Sequence, residues 1–325
     1  MWSFLASPSY NGIPRTAQPG LNAPGGGART KVENIAEAGI PVVNRIPLCE
    51  TFGLLVEPLS MNHNPNSDST SKSFELNIEE LKESRSFKVC WAEEQQLLRW
   101  QGKKREALLS AVSAIFVCNK YLQQLLRVYV RQPIKILRTP INTNRFAPDC
   151  KPKRVVAIGK VCIEKNIAGV MDLFSDLPSS WEKIFIGNAG LWGQEAKPVD
   201  KALEGQLKNV CDWYPSLTQN EVAEIASNTF AYVNLARYDV GSLAFLEFAS
   251  AGCHCFCWDF HPMFDEYQFV HRFDTPAEGA EKIIDTMAKE RHNACTRARI
   301  AMESMHSYKA FRKQLKALTM EIYQC

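Results

Sequence analysis

Phe230-Ala231-Tyr232-Val233-Asn234-Leu235, followed by Arg237-Tyr238-Asp239-Val240-Gly241-Ser242-Leu243-Ala244-Phe245-Leu246-Glu247-Phe248-Ala249-Ser250-Ala251-Gly252, is the stretch on which the fold turns. The first run is nearly all apolar and reads as a buried strand. Gly241-Ser242 is a small-residue turn, and it opens an apolar segment of helical character. A strand that breaks into a turn and then a helix aims unpaired backbone N–H groups, and the positive end of the helix dipole, at whatever lies ahead. That is an anion site, with the amides around Ser242, Leu243 and Ala244 as its cradle. Asp239 and Glu247, eight positions apart, flank the turn. Glu247 lies two turns into the helix, where a carboxylate could accept hydrogen bonds from sugar hydroxyls. The implied ligand is a phosphorylated sugar.

Outward from this stretch the chain alternates strand and helix. Arg154-Val155-Val156-Ala157-Ile158-Gly159 is a strand running into a glycine. Helices are expected near 166–174, 199–207, 218–226 and 242–251, with strands near 183–186, 208–212, 229–235 and 253–258. From about 276 to the end the pattern is helical. The first half shows the same alternation. A strand opens at Trp2, and a Gly/Pro-rich loop follows through Gly25-Gly26-Gly27. A helix over 28–38 then ends at Gly39, where glycine can take the left-handed cap. Strands at 41–43, 54–56, 87–91 and 114–118 and helices at 76–84 and 93–112 complete it, with a polar loop at 61–73. Residues 133–153, rich in proline and basic residues, read as a hinge. Such alternation predicts an α/β fold of two Rossmann-like units, residues 1–138 and 139–325, each a parallel sheet covered on both faces. A ligand cleft is expected at the carboxyl ends of their strands, and the C-terminal helix is expected to pack back on the first unit.

The 325 residues are enough for about two domains on a prior of roughly 100–200 residues each. Hydrophobic content of 46% excludes wholesale disorder, and a net charge of +3 does not by itself mark a nucleic-acid binder. The eleven cysteines follow no regular framework and read as reduced and buried, which points to a cytoplasmic protein. The N-terminus lacks the features of a signal peptide. No window of about 18 apolar residues predicts a membrane span.

Three blocks, in order, resemble the retaining GT-B glycosyltransferases of the group 1 (family 4-like) type. Thr139-Pro140-Ile141-Asn142-Thr143-Asn144-Arg145-Phe146-Ala147-Pro148 is similar to the family's N-G-V-D-x-x-x-F-x-P linker. Gly159-Lys160-Val161-Cys162-Ile163-Glu164-Lys165-Asn166 looks like its G-R-x-x-x-x-K-G segment. Asp239 through Glu247 resembles its E-x7-E block, and Phe248-Ala249-Ser250-Ala251-Gly252 stands where the family has A-M-A-x-G. Met305 through Tyr323 resembles the closing helices that cross back to the first domain. The resemblance covers about residues 137–325; the first half matches only in general shape. Asp239 stands where a glutamate is usual, Lys160 where an arginine is, and Val240 and Asn166 where glycine is common. The strand end Cys90-Trp91-Ala92 carries no counterpart of the family's sugar-side histidine, and His63 falls in the polar loop.

The resemblance implies transfer of a sugar from a nucleotide diphosphate sugar to an acceptor, with retention and without a metal or other cofactor. Lys160 and Lys165 would then neutralise the leaving diphosphate, Glu247 would hold the ribose and Asp239 would touch the transferred sugar. Losing one such donor typically costs ~3–4 kcal/mol of transition-state stabilisation. Gly26, Gly27 and Gly159 are further donor-site candidates, although a glycine loop is a weak signal alone. Partners are the nucleotide-sugar donor and an acceptor that is a saccharide, a lipid-linked glycan or modified DNA. Two other readings stay open: a viral-type transferase acting on hydroxymethylated DNA bases, and a catalytically silent nucleotide-sugar-binding protein.

Cys253, Cys255 and Cys257 around His254 invite a metal reading. Their period of two suits small buried residues of a central strand better than zinc spacing. His261 follows that strand's end and is expected to line the cleft, although a loop histidine without a role is the plainer reading. Arg99 and Lys103-Lys104-Arg105, interleaved with Trp100, form a basic helix face that could dock peripherally on a membrane surface or on nucleic acid. A solvated face is the simpler account.

Overall fold

The computed structural model describes residues 2–5, 33–40, 42–43, 53–56, 78–83, 88–92, 103–189, 197–237, 239, 241–290 and 293–323. Gly26, Gly27, the 61–73 loop, Arg99, Trp100 and Val240 lie outside the described residues, and so do the side chains of Lys103, Lys104 and Arg105. The chain divides into two units. Of the described residues, the first takes in those up to Pro140 together with those from Tyr308 on, and the second Ile141–Ser307.

In the first unit six parallel strands run in the order β2-β1-β3-β4-β5-β6: β1 Trp2–Leu5, β2 Val42–Val43, β3 Gly53–Val56, β4 Lys88–Ala92, β5 Ala114–Val117 and β6 Ile134–Ile136. β5 is buried along its whole length, as a strand covered on both faces must be. The helix Tyr308–Tyr323 presents Phe311, Leu315 and Leu318 at helical spacing to Val89, Trp91, Ala114 and Phe116. Phe311 stacks on Trp91 with ring centroids 5.8 Å apart. The Tyr308 hydroxyl lies 2.7 Å from Glu37 Oε2 and 3.0 Å from Asn34 Oδ1, its single proton shared between them. Gly39 closes that helical segment at φ +83°, the left-handed cap expected of it.

The division between the units falls within the 133–153 segment read as a hinge, but that segment is not all linker: Ile134–Ile136 is the edge strand β6, paired with β5, and its residues from Ile141 on belong to the second unit. Arg299 Nη1 donates to the carbonyls of Thr143 (2.5 Å), Phe146 (2.7 Å) and Ser250 (2.9 Å). The Lys151 ammonium is fully buried on three more carbonyls, those of Ala226, Ser227 and Ala251. The division falls between Pro140 and Ile141 instead of 138 and 139. A helix at Lys120–Leu126 was also not anticipated; Asn119 caps it by accepting from the Leu122 amide at 2.8 Å.

The second unit is a six-stranded parallel sheet in the order β12-β11-β10-β7-β8-β9. Its strands are β7 Arg154–Ile158, β8 Glu182–Ile186, β9 Asp212–Tyr214, β10 Ala231–Asn234, β11 His254–Trp258 and β12 His271–Phe273. Period-two alternation sorts the residues of each strand to opposite faces. Val155, Ala157, Ala231, Val233 and Phe256 join one apolar cluster with Ile167, Leu173 and Phe174 of the helix Ile167–Asp176 and with Ile283 of Pro276–Glu290. Tyr232 instead packs on Phe248 of the helix Leu243–Ser250, with centroids 4.9 Å apart. Burying a side chain such as Phe174 stabilises the fold by roughly 2 kcal/mol. β9 starts at Asp212, later than the 208–212 expected, because residues 208–211 turn out of the preceding helix Pro198–Leu207. β12, between a histidine and a phenylalanine, was missed. Among the described residues no helix is long and apolar enough to cross a membrane.

Candidate functional site

The strand order locates the site. From β7 the chain builds outward through β8 and β9, then returns to the other side of β7 with β10, β11 and β12. The direction reverses between β7 and β10, and loops leaving the carboxyl ends of such neighbours splay apart to leave a crevice. After β7 come Gly159 and Lys160, then a 3-10 turn, Ile163–Lys165. After β10 come the residues leading through Asp239 to Ser242. The two loops are stitched by the Arg237 amide, which donates to the Glu164 carbonyl at 2.9 Å.

Lys165 and Asp239 meet across this point, with Nζ 3.1 Å from Oδ2. Asn234, at the end of β10, donates from Nδ2 to the same carboxylate oxygen at 3.2 Å, while its Oδ1 accepts from the Ala236 amide at 3.0 Å. Asn234 was not singled out from sequence. The signal was there, as the one amide side chain in an otherwise apolar strand. Gly159 lies against the Lys165 stem: a Cβ there would sit 3.6 Å from Lys165 Cγ. Asn166 adopts φ +51°, ending the 3-10 turn and starting the helix Ile167–Asp176. Asparagine tolerates this left-handed conformation better than most residues.

Ser242 caps the helix Leu243–Ser250, its Oγ accepting from the Phe245 amide at 3.2 Å. The first-turn amides of Leu243 and Ala244 have no intrahelical partners, as at every helix N-terminus. Lys160 is half-buried beside the 3-10 turn. Glu247 differs from the purely accepting carboxylate expected. It is 4% exposed, and burial pushes its acid up to about 8 against the opposing influence of the Arg145 guanidinium and a hydrogen bond from Gln219. At neutral pH it is largely a neutral acid, able to donate as well as accept. Its Oε1 has no partner among the described residues. The linker residue Arg145 and the helix residue Glu247 are thus electrostatic neighbours, joining two of the three sequence blocks.

Cys253, Cys255 and Cys257 are buried free thiols, and burial raises all three above the usual thiol range. Cys253 Sγ lies within hydrogen-bond reach of the Ala226 and Thr229 carbonyls, at 3.3 and 3.2 Å, with one S–H to share between them. Among the described residues no three histidine, cysteine or acidic side chains converge on a point that could hold a metal ion.

Two parallel six-stranded α/β sheets, one carrying this switch-point site, define the fold class of the GT-B glycosyltransferases. No family model and no curated protein matches the chain by sequence. Solved structures do match it. Sucrose-phosphate synthase from Thermosynechococcus elongatus has a TM-score of 0.63 at 12% identity, over 99% of this chain and 99% of its own. HepE from Anabaena, solved in complex with UDP-glucose, has a TM-score of 0.64 at 9% identity, over 83% of this chain and 79% of its own. TarM has a TM-score of 0.59 at 12% identity over 82% of this chain, which spans only 54% of TarM.

Proposed function

We propose that the chain is a glycosyltransferase that moves a sugar from a uridine diphosphate donor to an acceptor hydroxyl, with retention at the anomeric carbon. The observation that carries this reading is the Lys165–Asp239 pair at the β7–β10 switch point, beside the first turn of Leu243–Ser250. A uridine donor is supported by the UDP-glucose held by HepE. Retention rests on the resemblance of the blocks at 139–148, 159–166 and 239–252 to the group 1 family.

In the reaction the bond from the anomeric carbon to the β-phosphate oxygen breaks, and the bond to the acceptor oxygen forms on the same face. The acceptor's proton passes to the departing phosphate oxygen, so no separate enzymatic base is needed. Lys165, Lys160 and the amides of Leu243 and Ala244 stabilise the charge that builds on the diphosphate, the role that fixed donors fill in a preorganised site. These groups suffice without a metal. Asp239 accepts from the transferred sugar, and the neutral Glu247 acid meets the ribose hydroxyls. Every cysteine among the described residues is a free thiol, which supports a cytoplasmic setting.

A thermal-shift panel of UDP, GDP, ADP, TDP and CDP, each with and without magnesium, on wild type and Lys165→Ala tests the reading. At about 100 times its dissociation constant a ligand adds ~2.7 kcal/mol of stability. UDP is expected to raise the wild-type Tm without magnesium and to lose most of that effect in the variant. No shift from any of the five would overturn the proposal.

A further inference from the structure

We infer that His261 binds the donor, its imidazole hydrogen-bonding a hydroxyl of the transferred sugar. The inference rests on the donor site proposed above and names a residue that selects the sugar.

His261 follows β11, which lies beside β10 in the sheet, and it precedes the 3-10 turn Pro262–Phe264. The residue is 4% exposed, and neither Nδ1 nor Nε2 has a hydrogen-bond partner among the described residues. Buried polar atoms are nearly always paired, so an imidazole with both nitrogens unmet calls for an explanation. Its place is well built. The ring packs on Phe264 with centroids 5.1 Å apart. Arg272 of β12 holds the whole loop: Nη1 donates to the carbonyls of Trp258 (3.3 Å), Asp259 (3.2 Å) and His261 (2.9 Å), and Nη2 donates to Asp265 Oδ1 (2.8 Å). A loop braced in this way, carrying an imidazole that no described residue satisfies, has the form of a preorganised binding element.

The charged groups acting on the imidazole are, in order, Asp239, Lys165, Arg272 and Asp265. The two strongest are the ion pair at the switch point, so His261 belongs to the same carboxyl edge. Burial is the dominant influence and holds the ring below its usual range, which keeps it neutral near pH 7. A neutral imidazole offers one N–H donor and one nitrogen acceptor. A sugar hydroxyl, itself donor and acceptor, matches both. A phosphate brings acceptors only, and Lys165 with the helix amides already supplies donors for it. The imidazole therefore reads a hydroxyl, leaving the diphosphate to the neighbouring cations.

Isothermal titration of wild type, His261→Ala and His261→Gln with UDP and with UDP-glucose tests this at pH 7.5. All three proteins are expected to bind UDP alike, with UDP-glucose about tenfold weaker in His261→Ala and nearly restored in His261→Gln, whose amide both donates and accepts. Equal loss for UDP and UDP-glucose, or no loss for either, would overturn the inference while leaving the donor site standing. Failure of wild type to bind UDP would remove the donor site itself. Should His261→Ala fail to fold, single-deoxy analogues of UDP-glucose on wild type and His261→Gln decide the matter. One hydroxyl must matter to wild type and matter less in the variant; identical deoxy penalties in the two proteins would overturn the inference.

Discussion

The carbonyl oxygen of Gly159 lies so close over Gly187 that no Cβ fits between them. Gly187 follows β8 at φ +143°, its amide donating to the Tyr214 carbonyl (2.8 Å) and its carbonyl accepting from Trp213 Nε1 (2.8 Å). The Gly159 amide in turn donates to Ile186 O at 3.0 Å. The loops leaving β7, β8 and β9 are therefore locked together at Gly159, the residue that lies against the Lys165 stem. Gly187→Ala combines a backbone clash with a conformation that side chains rarely adopt. A loss of roughly 3 kcal/mol or more in urea unfolding is expected. Any folded fraction should no longer show a UDP-induced thermal shift.

Lys165→Ala removes a group that is partly exposed, as is its partner Asp239. Such an ion pair contributes at most about 1 kcal/mol to stability, so Tm should change little. Turnover with a UDP-sugar should fall by ~10²–10³-fold, the typical cost of removing one preorganised donor. A steady-state assay showing near wild-type kcat would exclude Lys165 from the diphosphate site.

Glu247 binds its proton more tightly in the folded state, at about 8, than at its ordinary value of 4.5. Between those values the folded protein holds more protons than the unfolded chain, so this group makes stability fall as pH rises from about 4.5 to 8. Glu247→Gln keeps the shape and removes the ionisation. Its Tm should gain on wild type steadily across that interval, by on the order of 2–4 kcal/mol in unfolding free energy at the upper end. Parallel Tm–pH curves for the two proteins would show that the acid is not held neutral by burial.

His271 acts in the opposite sense. Burial first, then the charges of His254 and Arg297, lower it from 6.5 to about 4, and its ring stacks on Phe256 at 4.5 Å. Its neutral folded form contributes stability that is present above about 6.5 and lost as pH falls toward about 4. His271→Asn should flatten the acid limb of the Tm–pH profile over that window, by roughly 1–2 kcal/mol after allowance for partial exposure. An acid limb unchanged by the substitution would assign the loss to other groups.

Lys151→Met should be among the most damaging single changes in the second unit. The ammonium donates to Ala226 O (3.2 Å), Ser227 O (2.8 Å) and Ala251 O (2.7 Å), and a thioether leaves all three carbonyls buried without that donor. A loss of about 3–5 kcal/mol is expected, read as a drop in urea midpoint at unchanged slope.

Much of the fold was legible because its signals are local. The alternation of apolar runs with amphipathic segments marked most strands within a residue or two, and Gly39 announced its cap. The two missed strands share a cause. β6 and β12 are three-residue strands, too short for a period, and they become strands only because β5 and β11 offer them an edge. In the site, Asp239 and Ser242 stood out from the strand–turn–helix pattern, and Lys165 from the resemblance of 159–166 to the family's segment. Asn234 showed only as an amide at the end of an apolar strand, and its contact with Asp239 depends on the fold of the loop after β10.

By itself the sequence determined the element types, the parallel α/β class and which loops carry charge, since these follow from side-chain periodicity and backbone preferences over a few neighbours. Only the tertiary structure decided that β10 lies beside β7. That strand order brings Lys165 to Asp239 across 74 residues of chain, buries Glu247 until it holds its proton, and leaves the His261 imidazole without a partner among the described residues. Pairing between distant strands, and the desolvation that follows it, depend on the packing of the whole sheet, and no local pattern encodes them.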